Sequence, residues 1–413
     1  MTAPPLKGIR VADFSWVWAG PYCTLQLAHL GAEVIRIETA RRPCLTRMLP
    51  PWADQKIGLN RAGYFNQYNQ GKRSMSLNLK HPAAVEVARR LIKKSDIVAH
   101  NFVRGVMERF GLGYEQIREF KPDVIMVALS GYGATGPLSS YISYGPAQVP
   151  LAGFSALTGY AGGPPMHTAL SYADPNAGIH AAFAVLAALY HRRKTGQGQF
   201  LDLSLWECAT ALTVEGLMEK QMSHREPARR GNRDPWMAPH GVFRCRDLPE
   251  PIGGGVVDTW VSIAVANDDE WRRLCRAMAQ AELGDDARFA TAPARKRHED
   301  ELEAIITAWT SQRSPQEVTK ILQEAGVAAF TCTANKDLAE DPHLNQRGFF
   351  VELEHPEIGA RKHCGIPWRL SRNECRVQTP APLLGQHTDE VLTGLLDYSA
   401  AEVTDMREAG ALN

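Results

Sequence analysis

The sequence predicts an α/β protein: a parallel sheet flanked by helices, with a smaller α+β segment placed before the chain returns. Three observations carry this. Apolar runs of strand length alternate with helix-length amphipathic stretches over the first 130 residues. Glycines punctuate the ends of those stretches, at the spacing of βαβ units. From about residue 225 short alternating runs give way to helices, which is the pattern of a separate mixed segment.

The elements follow in order. Gly8–Phe14 reads as a strand, and Pro21–Leu30 as a helix ended by Gly31. Ala32–Glu38 is a second strand, Pro82–Lys94 a second long helix and Asp96–Ala99 a third strand. Val103–Phe110 is a short helix ended by Gly111, and Asp123–Leu129 a fourth strand running into SGYGATGP. Gly153–Pro165, with four glycines and two prolines, reads as loop. No clear strand emerges between Gly216 and Ala238. Val242–Cys245 and Trp260–Val265 alternate like antiparallel strands, with a turn at Ile252–Gly255 between them. Asp268–Met278, Asp300–Thr310 and Ser314–Ala325 are helical in period, and Gly326–Phe330 begins a strand. The tail holds a helix near Asp337 and a strand near Phe349.

Composition narrows the function. Of 413 residues 44% are apolar and 22% charged, enough for a sizeable core, and the net charge is +1. Such a balance gives no electrostatic case for nucleic acid or an anionic membrane. The N-terminus lacks the apolar region of a signal peptide, and the longest apolar run, Ala181–Tyr190, is too short to cross a bilayer. Eight cysteines lie scattered without a CxxC pair, so a cytoplasmic enzyme with free thiols is expected, with neither a zinc cluster nor a disulfide framework. The 13 histidines form no HExxH, which leaves a metal site without support. Neither GxGxxG, GxxxxGK[ST] nor GxSxG occurs where its chemistry needs it. The glycines after the fourth strand, Ser130–Ala134, read either as a phosphate loop or as a plain turn.

The chemistry concentrates in Ser171–Ser204. Asp174-Pro175 reads as N-cap and first helical residue, the bases His191–Lys194 as a last turn, Gly196 as the C-cap, and Gln199 onward as a strand. An N-cap carboxylate in the positive end of the helix dipole is expected to stay ionised at neutral pH. It can serve as a cap alone, or attack an activated acyl carbon and form an anhydride. The local pattern does not separate the two.

Stretches along nearly the whole chain carry a resemblance. They are LKGIRVADFSWVWAGPYCTLQLAHLGAEVIRIE at the start, NQGKRSMSLNLK, DIVAHNF, ADPNAGIHAAFAVLAALYHRRKTGQGQFLDLSLWE, AGVAAFTC, DPHLNQRGFF and PLLGQHTDEVL, in that order. The chain resembles the class III CoA-transferases, the group of formyl-CoA transferase, crotonobetainyl-CoA:carnitine CoA-transferase and α-methylacyl-CoA racemase. That resemblance implies a Rossmann-like large domain from 1–224, a small α+β domain over 225–330, a return to the large domain over 331–413, and an interlocked ring-like dimer. It implies CoA thioesters as substrates, with no permanently bound cofactor. It makes Asp174 the nucleophile, passing through an aspartyl anhydride and an aspartyl-CoA thioester. For CoA contacts it points to Trp18, Ala19, Lys72, Arg73, Asn101, Phe102 and Arg109. Arg41 or Arg42 would stand in for the arginine often found where this chain has Thr39.

Two departures shape the expected substrate. GNRDPWMAP replaces the glycine loop near Gly231, which weakens oxalate as acceptor. No histidine lies between His100 and His167, where the racemase branch carries its second base and this chain reads SSYISYGPAQ. The expected reaction moves CoA from a donor, succinyl-CoA by analogy, to a dicarboxylic or aryl-substituted acid of itaconate, mesaconate or benzylsuccinate type. Trp16, Trp18, Trp52, Tyr64 and Trp236 are candidate walls, and basic residues near 225–233 candidate holders of a second carboxylate. The alternatives are a 2-methylacyl-CoA racemase-like enzyme and a non-catalytic partner subunit. A homodimer is the expected state, a heteromer with a paralogue its variant.

Overall fold

A computed structural model of the chain describes residues 3–168, 170–249 and 255–413, so that most of the turn read at Ile252–Gly255 lies outside the described residues. The chain divides into two compact units. The first comprises Met1–Ala156, His167–Pro227 and Pro342–Asn413, and the second Leu157–Met166 with Ala228–Asp341. The second therefore runs past the expected end at 330 and takes in part of the glycine-rich stretch. Backbone and side-chain bonds explain that capture: Gly231 N–H donates to the Gly159 carbonyl at 2.8 Å, and the Arg229 guanidinium to the Gly163 carbonyl at 2.7 Å.

The first unit is built on β1 (Arg10–Asp13), β2 (Glu33–Glu38), β3 (Lys72–Ser76), β4 (Ile97–His100), β5 (Ile125–Ser130) and β6 (Gln199–Ser204). Their spatial order is β3-β2-β1-β4-β5-β6, and every pairing is parallel. This is the doubly wound order, which reverses between β1 and β4. Between the strands run α1 (Ala19–His29), α2 (Gly63–Tyr68), α3 (Pro82–Lys93), α4 (Val106–Arg109), α5 (Tyr114–Arg118), α6 (Gly145–Leu151), α7 (Phe154–Leu157) and α8 (Ala173–Thr195). Strand residues alternate between two cores. Val11, Ala99, Val127 and Leu129 pack with Cys23 and Leu27 of α1 and Ala181 and Val185 of α8. Ala12, Val98 and Met126 pack on the other face with Val87 and Leu91 of α3 and with Leu392, Val403 and Met406 of the C-terminal segment.

Several elements have no counterpart among the expected ones, α2, β3, α5, α6 and the helix Ala292–Arg297 among them. Helix α7 puts one helical turn into the stretch read as loop from Gly153. The α2 stretch and β3 are short, and β3 places Lys72 and Arg73 where an apolar run would mark a strand. The edge of β3 is covered by the returning chain: His387 N–H donates to the Ser74 carbonyl at 2.8 Å and Gly385 N–H to Ser74 Oγ at 2.9 Å. Covering an edge strand in this way removes a row of unpaired backbone groups. After β6 come α9 (Leu205–Thr210) and α10 (Val214–Ser223), so the start of the Gly216–Ala238 stretch is helical.

The second unit pairs β7 (His240–Arg244) with β10 (Trp260–Ala264), and β10 with β11 (Ala328–Thr331), all antiparallel, beside a two-residue ladder of β8 (Leu248–Pro249) with β9 (Val256–Val257). Helices α11 (Asp268–Ala277), α12 (Ala292–Arg297), α13 (Glu299–Thr310) and α14 (Pro315–Glu324) bury Trp271, Leu302, Ile306 and Leu322 against Val261 and Ile263. Ser314 and Glu317 form a reciprocal cap that starts α14. No helix among the described residues is long and apolar enough to cross a membrane.

Candidate active site

The strand order reverses between β1 and β4, so the loops leaving their C-terminal ends border the crevice in which sheets of this kind take ligands. Those loops, Phe14–Trp18 and Asn101–Gly105, are tied together. Asn101 Oδ1 accepts the Trp16 N–H at 2.7 Å, and its Nδ2 donates to the Trp16 carbonyl at 2.7 Å. The Trp16 ring meets Phe102 edge-on at 6.1 Å, and the Arg42 guanidinium lies over it at 5.3 Å. Val17 adopts φ 61°, and its N–H donates to Cys44 Sγ at 3.2 Å. A β-branched residue reaches that left-handed conformation only when its surroundings force it. Trp18 then turns inward, 4% exposed, against Tyr64 at 5.4 Å and Tyr68 at 5.1 Å, with its indole N–H buried and without a partner among the described residues.

Asp174 stands in the first turn of α8, and here the expectation of an N-cap is corrected. The cap position belongs to Tyr172, Ala173 is the first helical residue, and Pro175 sits third, where its missing N–H costs no helical bond. The C-terminal reading holds: the helix ends at Gly196, in a left-handed conformation with φ 75°. The expected ionisation is corrected as well. Burial pushes the Asp174 carboxyl up to about 7, and only the Ala19 backbone N–H, at the start of α1, acts against that. The carboxylate has no cationic partner among the described residues, and a low-dielectric surrounding disfavours the charged form.

Small residues create this enclosure. Gly178 lets α8 cross α1 closely, since a Cβ there would lie 2.8 Å from the Ala19 carbonyl oxygen. Gly145, the first residue of α6, lies against Asp174 Oδ2 so closely that no side chain fits between them. Burial, and after it the charge of Asp174, holds the Tyr64 hydroxyl above the usual phenol range. Asp174, Ala19, Trp18, Tyr64 and Gly145 therefore share one neighbourhood, with the Asn101–Trp16 tie beside it.

The other expected contacts divide into two groups. Arg41, Arg42 and Arg109 are exposed. Lys72 is not available, which corrects its expected role. It is 2% exposed, and its ammonium donates to the Pro21 carbonyl at 2.9 Å, Thr24 Oγ1 at 2.8 Å and Asn69 Oδ1 at 3.0 Å, with Asp13 Oδ2 at 3.4 Å. It belongs to a buried network with Asp13, Arg36, Glu38 and Arg47, in which Arg47 meets Glu38 at 2.8 Å. Arg73 pairs with Glu33 at 2.8 Å and also with Glu390. The Ser130–Ala134 loop is no anion cradle: its Ala134 N–H is taken by Asp202 Oδ1 at 2.7 Å, and a carboxylate there repels phosphate.

Among the aromatic candidates, Trp52 joins a small core with Ala62, Phe65 and Ala381, while Trp236 is 82% exposed in the second unit. Of the basic residues near 225–233, Arg233 is engaged by Glu303 and Asp300, whereas Arg225 and Arg230 are exposed. No cluster of three or more metal-ligating side chains occurs among the described residues. Gly145 and the buried network were missed in the sequence. A glycine followed by proline at 145–146 was the one visible signal for the former.

Known proteins of the same kind share this architecture. Residues 6–388 match CoA-transferase family III. A succinate–glutarate CoA-transferase of Agrobacterium fabrum is 33% identical, over 95% of this chain and 96% of its own length. A succinyl-CoA–D-citramalate CoA-transferase of Chloroflexus aurantiacus is 32% identical, over 95% and 94%. Among solved structures, a CAIB/BAIF family protein from Brucella suis superimposes with a TM-score of 0.85 at 28% identity, covering 96% of this chain and all (100%) of that one.

Proposed function

Since the chain belongs to CoA-transferase family III, we propose that it moves CoA from succinyl-CoA to a second dicarboxylic acid, with Asp174 as the group that carries the acyl chain. The observation that carries this reading is the buried Asp174 carboxylate, without a cationic partner among the described residues, placed in the first turn of α8 with the Ala19 N–H facing it. A carboxylate with a pKa near 7 is a stronger nucleophile than a solvated one and is still ionised in a large fraction at neutral pH.

The chemistry proceeds in balanced steps. An Asp174 oxygen attacks the thioester carbonyl, the C–S bond breaks, and a mixed anhydride and CoA thiolate result. The thiolate attacks the Asp174 carbonyl carbon and expels the donor acid, leaving an aspartyl-CoA thioester. The acceptor carboxylate attacks that thioester, regenerating thiolate and a new anhydride. Attack of the thiolate on the acceptor carbonyl releases the new acyl-CoA and restores Asp174. Every intermediate is prone to hydrolysis, so exclusion of water by Trp18, Tyr64 and Gly145 protects the transfer. The Ala19 N–H supplies a hydrogen bond to the oxygen on which charge builds. Exposed Arg42, stacked on Trp16 whose ring meets Phe102, and exposed Arg109 suit the phosphates and base of CoA.

Two relatives are named for glutarate and D-citramalate, both dicarboxylates, which favours a dicarboxylic acceptor over an aryl monoacid. The itaconate, mesaconate and benzylsuccinate types remain within that class. Helix α8 also supports self-association. Opposite the small residues that face α1 it exposes Ile179 (53%), Phe183 (72%) and Tyr190 (63%), an apolar stripe that a second copy would cover. All eight cysteines are free thiols, in keeping with a reducing cytoplasm. A panel of free acids offered with succinyl-CoA, acetyl-CoA and formyl-CoA, with the CoA products read by mass spectrometry, tests the reading. Transfer from succinyl-CoA to dicarboxylic acids is expected. Transfer confined to aliphatic monocarboxylates would overturn it.

A further inference from the structure

We propose that Asn101 is a positioning residue for the reacting carboxylate, clamping the Trp16 backbone so that the left-handed Val17 turn presents the Ala19 N–H to Asp174. The proposal rests on the reading of Asp174 as the reacting group and deepens it. Its basis is a continuous chain of contacts. The Asn101 amide meets both backbone groups of Trp16 at 2.7 Å, donor to acceptor and acceptor to donor. Trp16 N–H can only donate and its carbonyl only accept, so the pair of bonds also fixes which end of the amide is which. Asn101 lies over the start of α1 as well: a Cβ on Gly20 would come 3.4 Å from Asn101 Cγ and 2.3 Å from Ser15 Cβ. The loop is thereby folded back onto the helix whose first N–H faces Asp174.

Val17 is the costly step in this path. It is held at φ 61° between the Asn101 clamp on one side and Cys44 Sγ, which accepts its N–H, on the other. Released from the clamp, a β-branched residue relaxes toward negative φ, and the direction of the following residues, Trp18 and Ala19, changes with it. Among the described residues the Ala19 N–H is the group acting to lower the Asp174 pKa, so its displacement leaves the carboxylate more basic and worse placed. An amide spent on the backbone in this way also has little left to offer a substrate.

Two variants, each beside its Asp174→Asn partner, decide the matter against the wild-type pair: Asn101→Ala, and Asn101→Ala with Val17→Gly. Glycine occupies the left-handed conformation without a clamp. In Asn101→Ala, kcat should fall by about 10-fold or more, as expected for a displaced reacting group, while KM for the acyl-CoA changes by less than about 3-fold. The pKa of Asp174 should rise by about one pH unit. That pKa is read in the ligand-free protein, from the pH dependence of the stability difference between each protein and its Asp174→Asn partner. Adding Val17→Gly should move both kcat and the pKa back toward wild type. An unchanged pKa in Asn101→Ala, or a raised KM with unchanged kcat, would overturn the proposal and make Asn101 a substrate contact. A shifted pKa in a protein whose Asp174→Asn variant still transfers CoA would leave the clamp standing and remove the nucleophile.

Discussion

Asp174 and Gly145 are packed so closely that a Cβ built on Gly145 would lie 1.5 Å from Asp174 Oδ2. The pair ties the start of α6 to the start of α8 and seals one side of the carboxylate. Gly145→Ala must therefore displace either the carboxylate or the helix. We expect it to cost about 1–3 kcal/mol of stability and most of the activity. In an Asp174→Ala background the same change should cost far less, because the colliding oxygen is gone. Denaturant unfolding of the four proteins measures that coupling, and additive costs would show that the two residues do not share the space.

Burial of Asp174 predicts two pH dependences. The ionised carboxylate is the nucleophile, so kcat/KM should rise with pH through about 7 and then level off. Stability runs the other way. The folded-state pKa, about 7, lies above the ordinary 3.8, so the folded state binds the proton more tightly than the unfolded state. The resulting stabilisation is full below pH 3.8 and is lost as pH rises to about 7. That loss amounts to roughly 4 kcal/mol. Asp174→Asn lacks this loss, so its stability advantage over wild type should grow between those limits and stay constant above them. Chemical denaturation at a series of pH values checks it.

Lys72 should prove structural. Its ammonium is enclosed and fully bonded, and burial holds it below the usual lysine range, at about 8. Lys72→Ala removes the buried countercharge of Asp13 and a donor from the Pro21 carbonyl, Thr24 and Asn69, at a cost of about 3–5 kcal/mol. Whatever folded enzyme remains should bind acyl-CoA with an unchanged KM. A stable variant with a raised KM would return Lys72 to the substrate.

Arg42, by contrast, is exposed and stacked on Trp16. Arg42→Ala should raise KM for succinyl-CoA several-fold, by roughly the 1–2 kcal/mol of a partly exposed charged contact. It should leave KM for succinyl-pantetheine, which lacks the nucleotide phosphates, unaltered. Equal effects on both thioesters would place Arg42 away from the nucleotide.

The fold was legible where packing is uniform. Residues 10–13, 33–38 and 125–130 are nearly all buried, so their apolar runs marked strands, and α3 shows a clean apolar stripe of Ala84, Val87, Ala88, Leu91 and Ile92. Strand β3 was not legible because Lys72 and Arg73 interrupt it, and their charges are compensated by Asp13, Glu33 and Glu390, far away in sequence. Asp174 was visible as a candidate, but its protonation was not. A local reading sees the helix dipole, whereas the dominant influence is burial beneath α1 and α6, which only the tertiary fold creates. The clamp of Asn101 on Trp16 spans 85 residues and leaves no trace in either local stretch.

The measurement closest to the central claim is the capture of the acyl-enzyme. Incubation with succinyl-CoA in the presence of hydroxylamine, followed by proteolysis and mass spectrometry, converts an aspartyl anhydride or thioester into a stable hydroxamate. The account predicts a hydroxamate on Asp174, formed only when the thioester donor is present and absent from Asp174→Asn. Sustained CoA transfer with Asp174 unmodified, or an Asp174→Asn protein that transfers CoA at a rate near wild type, would contradict it.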